Sequence, residues 1–124
     1  MDELAGYMKH PLYDMNKAAR EGMFSLLEKH PEQVGKALEK VERGFYPKDV
    51  FEVILKLAPE ITGSHEKTLL RLADGSCPER TKAFLKQLNN QKWISPADRR
   101  AYVERMLRHE NEEIRSEAMA AWLK

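Results

Sequence analysis

Residues 95–124 read SPADRRAYVERMLRHENEEIRSEAMAAWLK, and the fold class turns on how they are read. Ser95 and Pro96 open a helix: the hydroxyl is suited to cap an orphan backbone N–H, and proline at the first helical position loses no hydrogen bond. Asp98, three residues on, makes a weak capping box with Ser95. Tyr102, Val103, Met106 and Leu107 recur at helical spacing, His109-Glu110-Asn111 breaks the pattern, and Ile114, Ala118, Ala121 and Trp122 resume it. Two short antiparallel helices joined by a tight polar turn are predicted, with Trp122 continuing the core face of the second.

Working outward, the same punctuation recurs upstream. Cys77-Pro78 opens a helix bearing Thr81, Phe84, Leu85 and Leu88, ended by Asn89-Asn90. The most apolar run is Val50, Phe51, Val53, Ile54, Leu55 and Leu57. Its β-branched and aromatic residues favour a strand, but Pro47 with Asp49, the polar breaks at Glu52 and Lys56 and the helical surroundings predict a helix buried on most sides. After Pro59, Thr62-Gly63-Ser64 supplies a turn and cap, and the stripe Leu69, Leu70, Leu72 and Ala73 stops at Asp74-Gly75. Val34, Ala37, Leu38 and Val41 define another helix between the His30-Pro31 turn and Gly44. Asp14 caps a longer one with Met15, Ala19, Met23, Leu26 and Leu27 on a broad face. Asp2 to Lys9 forms a short helix with Leu4, Tyr7 and Met8 on one side, ended before Pro11.

The expected fold is all-α: seven or eight short helices as antiparallel hairpins, roughly 14–44, 48–74 and 77–124, in a single helical domain over residues 1–124. Three helices share one internal spacing: Val34, Leu38 and Val41; Thr81, Leu85 and Leu88; Ile114, Ala118 and Ala121, at offsets of 47 and then 33. Residues 107–118, LRHENEEIRSEA, resemble the turn and second helix of the HEAT/armadillo-like α-helical repeat family, with Ile114 in its apolar place, Arg115 in its arginine place and Ala118 in its small-residue place. That resemblance implies a HEAT-like stack and a binding habit; the alternative is an irregular helical bundle.

Charged residues make up 33% of the chain and hydrophobic ones 42%, proportions that suit helical hairpins with a large wetted surface. No window approaches the apolar length of a membrane span, and Met1-Asp2-Glu3-Leu4 lacks the basic and apolar regions of an export signal, so a soluble, cytoplasmic protein is expected. Cys77 is the single cysteine. The net charge of +1 is unevenly spread: residues 1–62 carry −2 and residues 63–124 carry +3. Residues 80–108 hold eight Lys/Arg against two Asp/Glu, and Glu110, Glu112, Glu113 and Glu117 follow at once.

Candidate chemistry is sparse. Cys77 sits where a helix dipole lowers a thiol pKa, with Arg80 one turn inside the helix, but a small N-cap residue is the simpler reading. His10, His30, His65 and His109 are scattered and form no metal-ligand spacing, so turn and cap roles are expected and no metal site is assigned. No phosphate-binding glycine loop or nucleophile elbow is present, and Glu112-Glu113 reads as acidic residues at a helix start. No catalytic residue and no cofactor are assigned. Trp93, in a loop between Lys92 and Ile94, is either a hydrophobic plug over the next hairpin, the favoured reading, or an exposed anchor.

These features predict a non-enzymatic protein-binding module: an adaptor, an assembly subunit or a stoichiometric inhibitor of the immunity or anti-defence type. The candidate partner-binding residues are Trp93, Arg80, Lys82, Lys86, Lys92, Arg99 and Arg100. The alternative is a nucleic-acid binder that uses the basic stretch 80–108 to track phosphates, with Trp93 or Tyr102 stacking on a base. A pI near 7.9 is low for affinity dominated by phosphates.

Overall fold

The computed structural model describes residues 1–8 and 13–123, with the side chains of residues 13 and 14 left aside. Pro11 as a helix stop, Lys9 as the end of the first helix and the Asp14 side chain as a cap thus lie outside the described residues. Nine α-helical segments are present among them, one only a single turn, and no strand, so the fold is all-α. They are α1 (Asp2–Tyr7), α2 (Tyr13–Lys29), α3 (Val34–Glu42), α4 (Lys48–Leu55), α5 (Pro59–Thr62), α6 (Glu66–Leu72), α7 (Pro78–Lys86), α8 (Pro96–Leu107) and α9 (Glu112–Trp122). The segment Thr62-Gly63-Ser64, read as a turn, is where α5 passes into a 3-10 turn before α6.

Local chemistry sets the boundaries. Ser95 accepts a hydrogen bond from the backbone N–H of Asp98, and Asn111 accepts one from that of Ile114, so both helices of the last hairpin carry side-chain N-caps. Gly44 and Gly75 end their segments with φ of +81° and +100°, a region that penalises a Cβ. The apolar run in α4 is helical, and Val50, Phe51, Val53, Ile54 and Leu55 are all buried. One core cluster reaches from Ala5 to Ala121. In α1 the buried residue is Ala5 and Tyr7 faces solvent; Met15 in α2 is also exposed.

Packing follows an order that the sequence does not announce. Helix α2 lies against α4, α4 against α7, and α7 against α9, while α1 packs on α2, α3 on α4 and α8 on α9. Helix α3 thus packs on α4, the first helix of the next expected hairpin, 48–74. The shared spacing of α3, α7 and α9 does not define one series, because α4 takes the place beside α7. Any amphipathic helix shows that spacing, whereas α4 buries Val50, Phe51, Val53, Ile54 and Leu55 over a broad face and keeps Lys48, Asp49 and Glu52 on its narrow polar one.

Ion pairs join successive members of the main series. Arg20 of α2 bridges Asp49 at 2.6 Å and Glu52 at 2.9 Å on α4; Lys48 of α4 meets Glu79 of α7; Lys82 and Lys86 of α7 meet Glu113 and Glu117 of α9, the latter at 3.7 Å. The other helices are linked in chain order by Lys40 to Asp2 at 2.8 Å, Arg71 to Glu42 at 2.9 Å, and the Tyr102 hydroxyl donating to the Ala73 carbonyl at 2.7 Å. Burial pushes the Tyr102 phenol well above its ordinary range, so it remains a donor.

The pairing has a pH signature. The Lys48 hydrogen bond holds Glu79 below the usual carboxylate range, bonds from Lys40 and Tyr46 do the same for Asp2, and Ser76 does so for Asp74. Each folded-state pKa lies below its unfolded value, so the stabilisation is complete above the unfolded pKa and is lost as pH falls through the folded one. The melting temperature should be flat near neutrality and fall below about pH 4, less steeply for Glu79→Gln than for the parent. Scanning calorimetry over that range checks this; equal slopes would remove Glu79 from the account.

Candidate functional site

A concavity of about 540 Å³ opens between the 88–94 segment, α8 and the end of α9. It is built from the buried polar side chain of Gln91. Its Nε2 donates to the Leu55 carbonyl at 2.7 Å and the Gln87 carbonyl at 3.1 Å, and its Oε1 accepts from the Trp93 indole N–H at 2.9 Å. Asn90 donates to the same Leu55 carbonyl at 2.9 Å. The Leu55 carbonyl at the end of α4, and the Gln87 carbonyl after α7, which also accepts the Asn90 backbone N–H at 3.0 Å, thereby pin the connection that leads into α8.

Trp93 sits half-buried on this hub. Its ring centroid lies 6.3 Å from that of Phe84, which makes an edge contact at 5.2 Å with Tyr102, and its Cβ faces Gly63. It acts as a plug over the core, the favoured reading of the two. Trp122 is the correction: expected on the core face, it is 42% exposed. Ala118 and Ala121 bury that face of α9, and Trp122, about 100° further round the helix, stands at the lip of the cleft with the Arg100 guanidinium 5.3 Å from its ring centroid.

The floor of the cleft is apolar, formed by Leu88, Val103 and Ala121, with Ile94 and Trp122 at its edge. Lys92, Arg99 and Arg100 supply its rim, and no carboxylate is among the residues lining it. Arg99 donates to the Asn89 side chain; Arg100 has one carboxylate neighbour, Glu104, at 3.6 Å on an exposed turn, where such a pair is worth under about 1 kcal/mol.

The basic stretch of the sequence thus divides. Arg80 donates to the Leu72 carbonyl at 3.0 Å and closes the end of α6, while Lys82 and Lys86 sit in the ion pairs with α9. Hydrogen bonding to Glu113 raises the Lys82 pKa further above its ordinary range. Of the candidate partner-binding cations, Lys92, Arg99 and Arg100 come together at the cleft, and Arg80, Lys82 and Lys86 lie apart from it.

Other candidates have structural surroundings. Cys77 occupies the N-cap position of α7, half-buried, without a side-chain capping bond. His65 occupies the corresponding position of α6, its ring 3.5 Å from where a Cβ on Gly35 would stand. His109 joins two turns: Nδ1 accepts from the Asn111 N–H at 3.0 Å, which places the ring proton on Nε2, and Nε2 donates to the Gly75 carbonyl at 3.0 Å. Among the described residues no group of three or more His, Cys, Asp or Glu side chains is arranged to hold a metal ion, and no helix is long and apolar enough to cross a membrane.

Sequence reasoning missed Gln91 and Asn90 as scaffold residues and Val103 as part of the floor. No local signal marked Gln91, whose partner Leu55 is 36 residues away. No protein-family model matches the chain, and neither does any curated protein or solved structure.

Proposed function

We propose that this chain is a non-enzymatic protein-binding module with a HEAT-like arrangement of helical hairpins, acting in the cytoplasm as an adaptor, an assembly subunit or a stoichiometric inhibitor. The observation that carries the reading is the cleft: an apolar floor rimmed by cations, held by a hydrogen-bonded hub instead of a loose loop. Preformed apolar concavities with a few charged groups at the rim are what a partner side chain needs in order to bury itself without an ordering cost. The helix order α2, α4, α7, α9 supports the repeat-like arrangement, as does Arg115, which donates to the His109 and Glu110 carbonyls at 2.8 and 2.9 Å and ties down the turn between α8 and α9 from within the LRHENEEIRSEA stretch. Phosphate tracking along residues 80–108 is disfavoured because Lys82 and Lys86 face carboxylates of α9.

The test is a pull-down from nuclease-treated and untreated lysate of the native host. One protein retained in stoichiometric amount after nuclease treatment is the expected result. Recovery of nucleic acid alone, lost on nuclease treatment, would replace this reading with nucleic-acid binding.

A further inference from the structure

We infer that the cleft receives an acidic segment of the partner protein carrying one apolar anchor, which inserts over Val103 and Ala121 beside Trp122 while its carboxylates meet Lys92, Arg99 and Arg100. This deepens the protein-binding reading and rests on it. Charge decides the occupant. The cations of the rim converge on one opening whose lining holds no carboxylate, so a segment bearing Asp or Glu enters a field that no group of the lining offsets. Other concavities differ in this respect. That between α1, α3 and Tyr46 already contains Asp2, bonded to Lys40 and Tyr46, and that beside Phe24 holds both Arg20 and Glu21. The apolar half of the occupant follows from Trp122, whose exposed ring is held by Arg100 at the lip, and from the buried methyl groups behind it. A bare polyanion would leave that floor wet.

The probe is a displayed random-peptide library selected against the full chain, with enriched peptides remade and measured by fluorescence anisotropy. Enrichment of peptides with Asp or Glu flanking a Leu, Phe or Trp is expected, with affinity falling as salt rises. Lys92→Glu with Arg100→Glu should weaken binding by about tenfold or more, and Trp122→Ala by a similar factor. Circular dichroism and melting curves establish that each variant is folded; Arg100→Gln, which keeps the reach of the stem, serves if the double reversal is not. Enrichment of uncharged or basic peptides, or affinities unmoved by these variants, overturns the inference. So does tighter binding of a single-stranded oligonucleotide that the same variants abolish, or self-association of the chain that Trp122→Ala removes. If the partner from lysate is retained equally by wild type and the double reversal, the cleft assignment fails while the protein-binding reading stands; if no protein is retained, that reading fails.

Discussion

Gln91→Leu is expected to destabilise the protein by roughly 2 kcal/mol, because it orphans the Trp93 indole N–H and takes one donor from each of two carbonyls. The leucine fills a similar volume, so the loss is polar in origin. The Trp93 indole N–H loses its acceptor, the Gln87 carbonyl keeps the Asn90 backbone N–H, and the Leu55 carbonyl keeps the Asn90 side chain. Each buried group left unpaired costs about 1–3 kcal/mol. The connection into α8 should loosen with it, so the cleft should lose affinity at the same time. Urea unfolding followed by tryptophan fluorescence measures the loss. Adding Trp93→Phe removes the orphaned N–H and should cost less in the Gln91→Leu background than in the parent. A loss below about 1 kcal/mol would mean that the hub is not what holds the segment.

Gly75→Ala should cost about 3 kcal/mol, against about 1 kcal/mol for Gly44→Ala, although both glycines adopt positive φ. The difference lies in what a methyl group meets. At Gly44 nothing lies within 4 Å, so only the backbone penalty applies. At Gly75 the Cβ would stand 2.9 Å from Cδ2 and Nε2 of His109, a ring fixed by hydrogen bonds to Gly75 and Asn111. Displacing it breaks the link between the turn before α7 and the turn before α9. In a His109→Ala background the excess cost should vanish, which a double-mutant cycle by chemical denaturation reads directly. Equal costs at the two glycines would show that His109 moves aside freely.

Much of the fold was legible because helix punctuation is local. Ser95, Pro96, Pro78, Gly44 and Gly75 act within a few residues of themselves, and α4 announced its burial by the five apolar residues it packs into eight positions. What stayed hidden depends on which helices become neighbours. Lys82 and Lys86 read as part of a basic stretch, and Glu113 and Glu117 as part of the acidic run that follows it; α7 and α9 pack side by side and pair them. The neighbours of α4 stayed hidden for the same reason, since a helical stripe says which face is buried but not against which partner. Trp122 was misplaced because Ala118 and Ala121 suffice to bury that end of α9, leaving the next position outside. Of the candidate site, Lys92, Arg99 and Arg100 were identifiable as charges, whereas their convergence over an apolar floor required the hub at Gln91.

Native mass spectrometry of the chain isolated from nuclease-treated lysate of its host decides whether it works by holding another protein. A discrete species is expected, containing one copy of the 14.4 kDa chain and one other protein, which dissociates when Lys92 and Arg100 are reversed to glutamate. The 14.4 kDa chain alone, or associated only with nucleic acid before nuclease treatment, would contradict it.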